Sequence, residues 1–149
     1  MNEFKPFDDR LAGLIAALSP ANRRRMAADI AKTLRTRQQR RIKTQKAPDG
    51  TPYAARKRQP VRAKKGRVKR EMFMKLRTNR FMKATGRDDV AVVEFTGKVQ
   101  RMAKVHQYGL KDRPSLQAKE TQYPKRILLG FTHEDIDIVS NTIINYISE

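Results

Sequence analysis

The stretch "AKVHQYGL", residues 103–110, sets a histidine beside an amide, a tyrosine and a glycine in a chain otherwise crowded with arginine and lysine. An imidazole works as a general base only with a group that orients it and a nucleophile within reach. His133 is the second of two histidines, there is no cysteine, and no HxH or HExxH spacing occurs. A thiolate or histidine-rich metal site and a cysteine nucleophile therefore lack the residues to build them. The acid pairs Asp88–Asp89 and Glu134–Asp135 read as a turn and a helix start rather than as acid/base machinery. On these residues the chain is expected to be no enzyme and to need no cofactor and no metal. His106 reads as a structural histidine at a strand end, and Gly109 as the turn that closes the strand.

The residue types that do stand out are cationic. The formal net charge is +19 over 149 residues, and residues 21–87 hold 24 basic groups against 3 acidic ones. Residues 130–149 hold four acids and no lysine or arginine. Such asymmetry points to a polyanion or to acidic faces on neighbouring proteins, and it suits head-to-tail self-association. No helix-turn-helix spacing, zinc module or aromatic run supports base-specific readout. Hydrophobic residues make up 38% and charged residues 33%, so part of the chain is expected to stay uncovered until a partner packs on it. The apolar runs fall short of the roughly 20 residues a spanning helix needs. The acidic start "MNEFKPFDDR" lacks the basic-then-apolar order of a secretion signal, so a non-exported protein with no membrane partner is expected.

These residues must be positioned by a short series of elements. Phe7, Leu11, Leu14, Ile15 and Leu18 recur on one side of a first helix. Ser19–Pro20 then supplies an N-cap and a first-turn proline for a second helix running to about Lys46. Met26, Ile30 and Leu34 mark its apolar face, and its polar far end "RTRQQRRIKTQK" is expected to project past the core. "APDGTPYAARK" is turn-rich, and "ARKRQPVRAKKGRVKR" (55–70), without an acid, reads as an extended arm. Val68, Met72, Phe73 and Leu76 suggest a short helix. Residues 80–97 read as two strands around "TGRDD", "AKVHQYG" as another, 110–123 as a polar loop, and "PKRILLGF" as a final strand. Thr132 and Asp135 form a capping box for a C-terminal helix striped by Ile136, Val139, Ile143 and Ile147, widened by Ile144 and Tyr146. The fold class expected is α+β: N-terminal helices including one long basic helix, a small antiparallel sheet, and a C-terminal amphipathic helix. It forms a single domain over 1–149 with a basic loop arm at about 47–70.

Taken in order, "FDDRLAGLIAALSP", "QRRI" before "PDGTPYA", "GRVKREMFMKL", "VHQYGL" and "YPKRILLGFTHEDI" resemble the phage virion morphogenesis family from about residue 4 to the end. Lys125 and Ile127 stand where the family often has alanine and proline beside the arginine, and 110–123 is the least matched part. The resemblance implies a structural, non-enzymatic virion protein. It would act late in assembly, finishing the head-proximal end of the tail so that a DNA-filled head can join. Implied partners are further copies of itself in a ring, commonly six-fold, together with tail tube, tail terminator and head connector proteins, and packaged DNA. Its place would be the tail–neck region of the virion after assembly in the host cytoplasm. The residues expected to carry interfaces are Arg40, Arg41, Arg56, Lys57 and Arg58 of the basic arm, and His106, Gln107, Tyr108 and Gly109 of the corner. The alternative is a basic protein that binds nucleic acid without sequence preference.

Overall fold

The computed structural model describes residues 5–56, 71–87 and 89–148. Its elements run α1 (Lys5–Ala16), α2 (Pro20–Lys43), β1 (Met82–Arg87), β2 (Val90–Phe95), α3 (Gly97–Tyr108), β3 (Lys111–Asp112), β4 (Thr121–Gln122) and α4 (His133–Ser148). The arrangement is α+β, as expected. Lys57, Arg58, Val68, Asp88 and the side chain of Phe7 lie outside the described residues, and with them most of the predicted arm.

The long helix α2 is the spine. Ser19 is extended and its hydroxyl accepts from the Asn22 amide at 3.1 Å, with Pro20 in the first turn. This pairing stops α1 and starts α2 within a few residues. Met26, Ile30 and Leu34 of α2 form one apolar cluster with Ile15 and Leu18 before the helix and Val139, Ile143 and Tyr146 of α4. Two turns further on, Ile42 enters a second cluster with Tyr53, Leu76, Met82, Phe95, Val99 and Leu128. The polar far end of α2 therefore does not project past the core. Gln38 and Ile42 are buried there, because a carboxylate and a backbone segment from the other end of the chain meet it.

The hairpin β1–β2 pairs antiparallel from Met82↔Phe95 to Arg87↔Val90 and lies across α2. Gly86 permits the crossing: a Cβ there would sit 2.2 Å from the Ala28 amide nitrogen, so any side chain would force strand and helix apart. Five local readings are corrected. "AKVHQYG" is not a strand but the last two turns of α3; Ala103 and Val105 alternate, yet Val99 and Ala103 also recur four apart, and the helical period wins. Gly109 has φ 64° and caps that helix, with the Leu110 amide donating to Val105 O at 2.9 Å, a left-handed helix end rather than a strand-ending turn. "PKRILLGF" joins no ladder among the described residues, and residues 72–81 run as turns and a bend rather than a helix. The 110–123 loop contains the small β3–β4 ladder, Lys111↔Gln122 and Asp112↔Thr121. On α4, Val139, Ile143 and Tyr146 face inward, whereas Ile136 and Ile144 are exposed.

Candidate functional site

Residues 123–131 cross the molecule as a bare backbone strap, and side chains rather than a neighbouring strand satisfy it. Gln107, in the last turn of α3, accepts with Oε1 from the amides of Leu128 (2.8 Å) and Leu129 (3.0 Å) and donates Nε2 to Leu129 O at 2.8 Å. Gln38 of α2 donates to Gly130 O at 2.8 Å, and Arg41 donates to the same oxygen at 2.9 Å. Tyr53 donates its hydroxyl to Ile127 O at 3.0 Å; burial pushes this phenol up to about 12 against the pull of Arg41. Gly130 passes so close to Pro48 that a Cβ would meet the proline ring at 2.7 Å. A buried backbone must have such partners, and here they come from three separate stretches of chain.

Arg126 anchors the strap from the other side. It is 4% exposed, and donates to Ala54 O (2.8 Å) and Ala55 O (3.2 Å) while its Nη1 lies 3.1 Å from His106 Nδ1. The His106 ring stands edge-on to Phe73 and Tyr123, with centroids 4.8 and 5.1 Å away. Burial first, then the charges of Arg126 and Arg56, push the imidazole down to about 4. It is neutral at ordinary pH, and Nδ1 accepts the Arg126 hydrogen bond. Its carbonyl also receives the Arg126 amide at 2.8 Å. His106 is thus a packed aromatic and an acceptor.

Beyond the strap, in the first turn of α4, stands Asp135, whose side chain has no solvent exposure. Asp135 accepts from Arg37, Arg41 and the Thr132 amide (2.9 Å), and its own amide donates to Thr132 Oγ1 at 3.0 Å. Burial pushes this carboxyl up, but the hydrogen bonds from Arg37 and Thr132 and the Arg41 guanidinium outweigh it and hold it below the usual carboxylate range.

The expected interface residues are therefore divided by the fold. Arg41, His106 and Gln107 face inward and hold the strap, and Gly109 caps α3. Arg40, Arg56 and Tyr108 are exposed, and Arg56 donates to Glu71 O at 3.2 Å. The sequence reading missed Gln38 and Arg126, polar residues that look like surface until the strap arrives. It also missed Phe131, 66% exposed at the rim of a groove of about 470 Å³ between β2, α3 and the strap. Among the described residues no group of three His, Asp or Glu side chains is placed to hold a metal ion, and no helix is long and apolar enough to cross a membrane.

The family model for phage virion morphogenesis proteins matches residues 2–148. The chain belongs to that family. It is similar to the tail completion protein S of Escherichia phage P2, with 52% identity over 148 residues, 99% of each chain. No solved structure matches it. In this family member the stretches that carried the resemblance, "PDGTPYA", "VHQYG" and "RILLGF", are the ones that meet at the strap, through Tyr53, Gln107, Arg126 and Gly130.

Proposed function

We propose that this protein is a structural component of a contractile phage tail that completes the tail's head-proximal end and enables head–tail joining. The observation that carries the reading is the 52% identity over 99% of both chains with a protein named for tail completion. Supporting it, the polar residues of the family stretches are spent on holding backbone: Tyr53, Gln107 and Arg126 bond carbonyls and amides. That is the use a rigid assembly part makes of buried polar groups, and it fits a protein without enzymatic activity. The working form is a ring of copies. Its partners are tail tube, tail terminator and head connector proteins, with packaged DNA alongside the basic surface. It assembles in the host cytoplasm and stays at the tail–neck region of the virion.

One observation favours the second reading, non-specific nucleic-acid binding. The outer face of α2 presents Arg25, Lys32, Arg40 and Lys43, all exposed, in a row that phosphates can follow. Epitope-tagged protein in purified virions decides between them. Gold label confined to the head-proximal end of the tail is the expected result. Label absent from particles, with salt-sensitive retention on duplex DNA instead, would favour the second reading.

A further inference from the structure

Strand β2 has a partner on one side only. The Thr96 amide donates to Phe81 O at 2.9 Å, and these two residues continue the register that sets Met82 opposite Phe95. Antiparallel ladders bond every second pair, so the backbone groups of Glu94, Val92 and Val90 point at β1. Those of Ala91, Val93 and Phe95 point the other way. No second strand and no turn or loop hydrogen bond among the described residues meets them there.

What they face is the groove. Every residue from Ala91 to Phe95 lines it or a smaller opening of about 260 Å³ beside it. The two openings share Val93, Leu129, Gly130 and Phe131, so together they make one trough along the free edge of β2. Leu34 and Gln38 line one half, Ala103 and Gln107 the other, and the strap is the far wall. The strap is the obvious third strand for this edge. Gln107 and Gln38, however, take the Leu129 and Gly130 backbone groups, and β2 faces the strap without a ladder between them. Proteins blunt open strand edges with charge. β1 does so with exposed Lys83 and Arg87, whereas β2, "VAVVEF", has Glu94 alone.

We infer that the free edge of β2 receives an extended segment of a different protein, added as a third strand between β2 and the strap. Backbone donors and acceptors at strand spacing select a polypeptide over a nucleic acid or a lipid. The lining by Leu34, Leu129 and Phe131 selects apolar residues at alternate positions of that segment. Among its described residues this chain has no strand to spare for another copy: β1 lies on α2, and the strap is fastened by side chains. Residues 57–70, eight of which are lysine or arginine, have the wrong chemistry for an apolar trough. The inference rests on the proposed tail role and names the surface at which a neighbouring tail protein is met.

Hydrogen exchange at individual amides of the full chain, free and in purified tails, reads the added strand directly. In the free chain Ala91, Val93 and Phe95 should exchange readily while the β1 ladder holds Val92 and Glu94. In tails the first three should slow at least about a hundredfold. Two substitutions separate the donor from the packing. Val93→Pro removes the groove-facing N–H and no ladder bond, whereas Val93→Ala trims the side chain and keeps the N–H. Incorporation into tails should fall about tenfold further for Val93→Pro than for Val93→Ala, the worth of one hydrogen bond, and Ala91→Pro should repeat the loss with little change in packing. Slow exchange at the three amides already in the free chain would mean that a segment of this chain fills the trough. Slowing that follows the concentration of the purified protein would mean that a second copy does. Either result, or equal incorporation of proline and alanine variants, overturns the inference. Protein present in tails with these amides still open removes the added strand alone; the same protection in a particle other than a tail removes the tail reading alone.

Discussion

Asp135 does two jobs with one carboxylate: it caps α4 and neutralises two arginines of α2. Replacing it with asparagine takes from Arg41 its buried counter-charge and leaves Arg37 only the exposed Glu134, so Asp135→Asn should cost about 3 kcal/mol in urea unfolding. Its pKa is held down in the folded state, so its stabilisation is present above the ordinary carboxylate value of 3.8 and drains away as pH falls through the folded value. His106 acts in a higher window. Its folded pKa of about 4 lies below the ordinary 6.5, so the unfolded chain binds the extra proton between those values. Stability should therefore fall as pH drops from 6.5 towards 4, and His106→Gln, which keeps an acceptor for Arg126, should flatten that limb of the urea-midpoint profile. Of this chemistry only the local part was legible. Thr132 and Asp135 stand three apart and announce a capping box, but Arg37 and Arg41 lie 98 and 94 residues away along the chain. That His106 is structural could be read from the missing catalytic partners; its aromatic neighbours, Phe73 and Tyr123, could not.

Elements with local signals were the readable ones. Ser19–Pro20 marks the α1–α2 junction, and the apolar spacing of Met26, Ile30 and Leu34 marks the inner face of α2. The strap could not be read, because an extended apolar run looks the same whether a strand or a row of side chains bonds its backbone. "AKVHQYG" was misread because six or seven residues fit both periods; the helix cap at Gly109 needs the fold around it to be seen. Gln107 is the fastening of the strap. Gln107→Leu should leave the Leu128 and Leu129 amides without acceptors and cost about 2 kcal/mol. Hydrogen exchange should then speed up at those two amides while the β1–β2 ladder keeps its protection. Uniform loss of protection across the hairpin as well would mean that Gln107 supports the whole core rather than one segment.

For the whole molecule, α2 links two apolar clusters, the strap ties α3 to α2, and the fold sets a basic α3 apart from an acidic α4. The charge asymmetry was visible in composition, and so was the likelihood of partners for a chain only 38% hydrophobic. Which faces carry the charge was not, since Asp135 counts like any surface acid in a sum but is spent inside the protein on Arg37 and Arg41. Tail completion is the central claim, and the most direct measurement is electron microscopy of lysates from a phage carrying a stop codon in this gene. DNA-filled heads lying apart from unjoined or abnormally long tails, with joining recovered when the intact chain is supplied, is the result predicted. Normal, infectious virions in the absence of the protein would contradict it.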